Sequence, residues 1–78
     1  MTQPATLTEV VLGEIRAEMG RQKMTGRAVA EAMGVTHVYV SRRLSGTVPL
    51  TLADLDRIAV ALSVPVTDLF PRQMASAA

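Results

Sequence analysis

The sequence predicts an all-α domain, a compact bundle of four to five short helices. Apolar residues recur at helical spacing in several segments, and capping and turn residues separate those segments. The chain has 78 residues and no cysteine, so it forms neither disulfides nor thiolate metal sites, and its small size favours compact helix packing, dimerisation or both. We expect a flexible N-terminal arm at 1–6, one domain at 7–70 and a C-terminal tail at 71–78.

The first helix is predicted from about Thr8 to Arg21. Thr6 or Thr8 is a suitable N-cap, and Gly20 falls near the end of the pattern. Residues four positions apart form an apolar stripe with Leu12 beside it: Val11, Ile15 and Met19.

A second helix is predicted in MTGRAVAEAMG, with Thr25 as its N-cap. Gly34 follows its last apolar residue and suits the left-handed conformation in which helices often end. The apolar face of this helix consists of Val29, Ala30 and Met33.

The next stretch, VTHVYVSRRLSG, contains conflicting signals. Its first half is rich in β-branched residues and by itself favours a strand. The helix stop at Gly34, a cap at Thr36 and the inward pair Val40 and Leu44 favour a helix over 36–45. Differences in helix propensity cost only tenths of a kcal/mol per residue, so packing can override them.

A fourth helix is predicted in LADLDRIAVAL, with Thr51 as its N-cap. Its apolar stripe consists of Leu52, Leu55, Ile58, Ala59 and Leu62. Its polar face carries Asp54, Asp56 and Arg57. Thr67 is expected to cap a last short helix that Leu69 and Phe70 anchor, and Pro71 disfavours a long continuation.

The run from Gly26 to Ser45 has the pattern of a helix-turn-helix. The small Ala30 lets the second helix of the pair cross close over the first, and Gly34 permits the tight turn between them. The apolar seam consists of Val29, Met33, Val35 and Val40. An ordinary αα-hairpin would satisfy the same spacing, so this pattern alone leaves both readings open.

The charges of the chain are unevenly distributed. Residues 16–46 carry six basic and two acidic side chains, a net charge of +4. The remaining residues carry two basic and five acidic side chains, a net charge of −3. A basic middle between acidic flanks favours a polyanion-binding face, although a solvated surface also produces such a division.

The stretches AEAMGVTHVYVSRRLSG and LADLDRIAVALSVPVTDLF, in this order and spacing, resemble the Cro/repressor-type (XRE-like) helix-turn-helix family of phage and bacterial regulators. The resemblance covers roughly 7–70. It implies a lambda-repressor-like DNA-binding domain that binds a double-stranded DNA operator, usually as a dimer, with helix 36–45 in the major groove.

The chain departs from the family pattern at three places. Gly26 stands where many members have a glutamine that contacts the DNA backbone, so Arg27 would take that role. Arg43 stands where an apolar residue is usual. Met19 and Leu44 replace a buried Arg–Glu pair of several relatives by an apolar contact, which is often neutral or stabilising.

Helical geometry predicts which side chains of 36–45 face the DNA. With Val40 and Leu44 inward, Arg42 points outward and its guanidinium suits guanine O6 and N7. The other expected base contacts are His37, Val38, Tyr39 and Ser41. The competing interpretations are an ordinary surface arginine at Arg42, helix packing at Val38 and a half-buried packing residue at Tyr39.

Contacts to DNA phosphates are expected from basic groups and helix starts beside the reading helix. These candidates are Arg27, Thr36, Arg43 and Thr47, with Thr36 also serving as a cap. Lys23 and Arg21 would add only to the long-range field, or be plain solvated charges.

Other function classes are disfavoured. His37 has no carboxylate evidently placed to orient it, and a lone histidine cannot form a metal site, so we expect neither an enzyme nor a cofactor. No apolar run approaches the ~20 residues of a membrane span, and no secretory signal is visible, so a cytoplasmic protein without a small-molecule ligand is expected. A helical adaptor or antitoxin-like module that binds protein partners remains the alternative.

The sequence thus leads to the hypothesis of a transcriptional regulator, a repressor that binds a pseudo-palindromic operator as a homodimer. Apolar residues in the C-terminal segment exceed what one short helix buries, so this segment is the expected dimer surface. Its residues are Val64, Val66, Leu69 and Phe70.

Overall fold

A computed structural model describes residues 6–71 as four α-helices and a terminal 3-10 helix. The described residues contain no strand, which confirms the all-α prediction. The predicted arm and tail lie outside the described residues, apart from Thr6 and Pro71. The elements are α1 (Leu7–Gln22), α2 (Gly26–Met33), α3 (His37–Leu44), α4 (Leu52–Leu62) and the 3-10 helix (Val66–Leu69).

Each α-helix begins after a threonine, as predicted. The threonine Oγ accepts a hydrogen bond from the backbone N–H three residues later, and its own backbone is extended. Such a cap satisfies an otherwise unpaired N–H and stabilises a helix by about 1 kcal/mol. The four caps are Thr6 (3.2 Å), Thr25 (3.1 Å), Thr36 (3.1 Å) and Thr51 (3.0 Å).

The first two helices end on left-handed residues. Gly34 ends α2 with φ 72°, as predicted. Helix α1 continues to Gln22, one residue past the predicted end, with Gly20 in its last turn, and its C-cap is Lys23 with φ 55°. The N–H of Lys23 bonds to the Gly20 carbonyl, and the Met24 N–H bonds to that of Met19, so the last carbonyls are satisfied without glycine.

The core lies between α4 and the other elements. The α4 helix contacts α1, α2 and the 3-10 helix, while α3 packs chiefly on α2. The predicted stripes of α1 and α4 supply most of the buried side chains, and Met19 lies half-buried against them. The buried apolar residues are Val11, Leu12, Ile15, Val29, Ala30, Val40, Leu55, Ile58, Ala59, Leu62 and Leu69.

Three details of α4 and the C-terminal segment differ from the prediction. Leu52, the first residue of α4, is 80% exposed, because no described element covers that end of the stripe. Asp54 was assigned to the polar face but is only 3% exposed, because side chains of α3 lie over it. Thr67 lies inside the 3-10 helix, whose N-cap position is Pro65, so Thr67 is not the cap.

Within residues 6–71, no helix is both long and apolar enough to cross a lipid bilayer.

Candidate nucleic-acid interface

Helices α2 and α3 form the predicted helix-turn-helix. The turn passes through left-handed Gly34, and the Val35 N–H returns to the Ala30 carbonyl at 3.0 Å. Val29, Ala30 and Val40 are buried between the helices, and Met33 and Val35 pack half-buried beside them. The seam proposed from the sequence is therefore present, and α3 is fixed to the rest of the domain by its inward side.

The outer side of α3 presents four of the predicted base-contacting residues to solvent: His37, Val38, Ser41 and Arg42. Val38 is 55% exposed, although valine is a poor helix former that core packing does not require here. No hydrogen bond or ion pair between residues 6 and 71 involves the Arg42 guanidinium, so its five N–H groups face solvent.

The start of α2 adjoins the start of α3. A Cβ on Gly26 would lie 3.4 Å from His37 Nε2, so the imidazole ring packs closely over this glycine. A shallow depression beside it is lined by Arg27, Ala30, Glu31, Val35 and His37. The exposed Arg27 therefore lies next to the N-terminal turn of α3, where a DNA backbone contact was predicted.

Tyr39 has a different setting from its neighbours on α3. It is half-buried, and its hydroxyl donates to Asp54 Oδ1 on α4. The Arg43 guanidinium carbon lies 3.7 Å from the centre of the Tyr39 ring, and Arg43 Nε donates to Asp54 Oδ2 at 3.4 Å. In the structure, Tyr39 is therefore a half-buried packing residue. Arg43 forms an ion pair with the buried carboxylate of Asp54.

Two pKa values reflect this arrangement. Burial alone raises the pKa of Asp54, but hydrogen bonds from Tyr39, Thr51 and Arg43 outweigh it and hold that pKa below its ordinary value. The hydrogen bond to Asp54, together with partial burial, raises the pKa of the Tyr39 hydroxyl. Asp54 is therefore a carboxylate and Tyr39 a neutral phenol near neutral pH.

The remaining predicted phosphate contacts lie at the two ends of α3. The Thr36 hydroxyl caps the helix, and its residue is exposed. At the other end, the exposed Thr47 shares a hydroxyl–hydroxyl hydrogen bond of 2.8 Å with Ser45. An Arg16 side chain from α1 donates to the Leu44 carbonyl, which ties this end of α3 to the body of the domain.

Asp54 is the important residue that sequence reasoning placed wrongly. The spacing of Thr51 and Asp54 is that of a capping box, and the structure contains both of its hydrogen bonds. That spacing marks Asp54 as a capping residue, but its partnership with Tyr39 and Arg43 is a tertiary contact without a local pattern.

The fold and this exposed, cation-bearing helix define a helix-turn-helix protein of the DNA-binding class. The helix-turn-helix family model matches residues 14–69. The chain belongs to this family, in its Cro/repressor-type (XRE-like) form, as the sequence resemblance predicted.

Two solved structures share the fold along almost the whole chain. The clp gene regulator ClgR from C. glutamicum is 25% identical with a TM-score of 0.79, over 96% of this chain and 97% of that one. The hypothetical transcription factor NHTF from Neisseria is 21% identical with a TM-score of 0.77, over 99% and 98%. A search of curated proteins gave no match.

Proposed function

We propose that this protein is a sequence-specific transcriptional regulator that binds double-stranded DNA with α3 in the major groove. The observation that carries the proposal is the division of α3 into two sides. Val40 is buried in the seam, whereas Val38 and Arg42 are exposed to solvent. A helix fixed by one side and exposed on the other matches the reading geometry of helix-turn-helix proteins.

Arg42 is the principal base-reading residue in this proposal. Its guanidinium has the fork of donors that binds guanine O6 and N7 together, which is worth about 1–3 kcal/mol of discrimination. Val38 suits contact with a thymine methyl group, and His37 and Ser41 offer polar contacts on the same exposed side. Tyr39, whose hydroxyl already donates to Asp54, would contact a base only with the edge of its ring.

Contacts with phosphates position the domain on the duplex. Arg27 and Thr47 are exposed at opposite ends of the reading helix, and Thr36 lies at its start. The net charge of +4 over residues 16–46 supplies the long-range attraction to a polyanion. Arg43 completes this set.

The operator would be pseudo-palindromic and bound by a homodimer, with half-sites about 34 Å apart. Val64, Val66 and Phe70 are half-buried and offer apolar area to a second copy. Leu69 is only 1% exposed, so its side chain belongs to the core of its own chain and is not part of this surface. Such a dimer would repress by covering a promoter, and sedimentation as a monomer at tens of micromolar would contradict it.

The proposal is tested by selecting bound duplexes from a randomised pool with wild type, Arg42→Ala and Arg57→Ala. Arg57 is an exposed arginine on α4 and serves as the matched control. We expect wild type and Arg57→Ala to select the same motif, and Arg42→Ala to lose the preference at one guanine per half-site. If Arg42→Ala selects the unchanged motif, Arg42 does not read the base.

A second candidate function is supported by the outer side of α4. Leu52 and Val60 are 80% and 77% exposed, so both side chains have apolar area available for contact with another protein. The salt dependence of binding separates the two candidates. DNA binding should weaken linearly in log[salt], by about 0.9 per phosphate contact, whereas salt-insensitive binding to a protein without DNA affinity would favour an adaptor.

A further inference from the structure

A buried carboxylate joins α3 to the start of α4. Asp54 accepts hydrogen bonds from two side chains of α3, the Tyr39 hydroxyl and Arg43 Nε. It also accepts from the Thr51 N–H at 3.2 Å, within the cap of its own helix. A carboxylate with a fixed backbone partner on α4 is a rigid anchor for the side chains of α3 that it binds.

The Arg43 guanidinium is held on two sides. Its Nε points to Asp54, and its Cζ lies over the Tyr39 ring, 3.7 Å from the ring centre. A guanidinium has five N–H donors, and the hydrogen bonds within residues 6–71 use only the one on Nε. The Nη donors have no hydrogen-bond partner within residues 6–71, and 20% of the Arg43 side chain is exposed to an external acceptor.

We infer that Asp54 is a positioning residue that fixes Arg43 as a pre-organised contact to a DNA phosphate. The inference rests on the proposed function and assigns a role to a carboxylate that does not itself touch the DNA. A free surface arginine loses rotamer freedom when it binds a phosphate, whereas a clamped one has already lost it during folding. Bidentate donation by a fixed planar guanidinium also suits phosphate geometry.

The positioning role and a simple charge effect of Asp54 predict opposite changes in DNA affinity when its charge is removed. A carboxylate near a bound polyanion repels it, so removing the charge of Asp54 should by itself strengthen DNA binding. If Asp54 acts by positioning Arg43, the same change should weaken binding. Asp56 provides the matched control, because it is exposed on the same helix and undergoes the same charge change.

The experiment measures fluorescence anisotropy of a labelled random-sequence duplex over a range of KCl concentrations. It compares wild type with Asp54→Asn, Asp56→Asn, Arg43→Met and the double variant Asp54→Asn/Arg43→Met. We expect Asp54→Asn to bind roughly three- to tenfold more weakly, the effect of losing one ordered hydrogen bond. Asp56→Asn should bind as tightly as wild type or more tightly.

Arg43→Met should lower the slope of log affinity against log[KCl] by about 0.9, the value for one phosphate contact. In the Arg43→Met background, Asp54→Asn should cause no further loss, because its effect passes through Arg43. A role confined to folding would leave the slope of Arg43→Met unchanged. Equal losses from Asp54→Asn in both backgrounds, or a gain like that of Asp56→Asn, would overturn the inference.

Circular dichroism at each measuring temperature establishes that every variant is folded. If Asp54→Asn is not folded, Tyr39→Phe replaces it in the same cycle, since it keeps the ring beside Arg43 and removes one of the hydrogen bonds that hold the Asp54 carboxylate in place. It should weaken DNA binding in the wild-type background and not in the Arg43→Met background, and an equal effect in both would overturn the inference. A wild-type protein without salt-dependent affinity for any duplex would contradict the proposed function as well. If the wild type binds DNA and the losses of affinity from Asp54→Asn and Arg43→Met add in the double variant, only the positioning role is contradicted.

Discussion

Arg42 and Arg43 are neighbours on α3 with opposite surroundings. The Arg42 guanidinium has no side-chain partner between residues 6 and 71 and faces solvent. One residue later, the Arg43 guanidinium stacks on Tyr39 and forms an ion pair with buried Asp54. A helix turns by about 100° per residue, so consecutive side chains face different parts of the protein.

The difference shows that the two sides of this short helix have different roles. Its outer side carries the exposed residues Val38 and Arg42, which are available to contact a ligand. Its flank toward α4 carries charged and aromatic residues that fix its orientation, in addition to the apolar residue Val40. Charge or residue type alone does not distinguish an exposed arginine from an anchored one. The difference depends on which side chains of the adjoining helix lie against each arginine.

The two sides of α3 should differ most strongly in their effect on folding. Val40→Ala removes two buried methyl groups and leaves space in the seam, and we expect it to lower the free energy of unfolding by roughly 2 kcal/mol. Val38→Ala changes an exposed residue on the same helix and should stay within about 0.5 kcal/mol of wild type. Urea denaturation of both variants measures the difference, and equal losses would show that the helix does not have these two sides.

Substitutions of Arg43 and Arg42 should also differ in their effect on the free energy of unfolding, but by less than substitutions of Val40 and Val38. Arg43→Met removes an ion pair and a cation–π contact, and we expect a loss of about 1 kcal/mol in the free energy of unfolding. Arg42→Met should change it by less than about 0.5 kcal/mol, as is usual at an exposed site. Denaturant midpoints with unchanged slopes test this, and a loss from Arg42→Met as large as that from Arg43→Met would remove the contrast.

The smallest expected effect is a dependence of stability on pH. The pKa of Asp54 is lower in the folded than in the unfolded chain, so the folded state favours the carboxylate. Its stabilising contribution should be complete above the ordinary aspartate pKa, about 3.9, and be lost as pH falls through the lower folded value. Urea midpoints from neutral to acidic pH should therefore fall less for Asp54→Asn than for wild type, with Asp56→Asn as control.

Local patterns predicted most of the architecture. The threonine caps and the left-handed Gly34 are properties of single turns, and neighbouring residues alone identified Thr25, Thr36, Thr51 and Gly34 and left Thr6 and Thr8 as alternatives for α1. The end of α1 was predicted to within one residue, although a lysine, Lys23, adopts the left-handed conformation that glycine adopts most readily. Thr67 was misassigned because a 3-10 helix after Pro65 begins earlier than an α-helix capped by threonine would.

The candidate site was predictable only on its outer side. The helical wheel correctly placed Val38 and Arg42 in solvent and Val40 in the core, because it needs only the direction of one helix. It could not determine that Tyr39 and Arg43 both donate hydrogen bonds to the carboxylate of Asp54 on α4. Their contacts with DNA stay predictions.

The sequence by itself determined the all-α class, the starts of α2, α3 and α4 and the turn that joins α2 to α3, because capping, glycine geometry and apolar spacing are encoded within a few residues. The burial of Asp54, the exposure of Leu52 and the separate settings of Arg42 and Arg43 were decided by tertiary structure. The burial or exposure of each of these side chains depends on whether another helix packs against it. Residues 39 and 54 are far apart along the chain, and only the packing of α3 near the start of α4 brings them together.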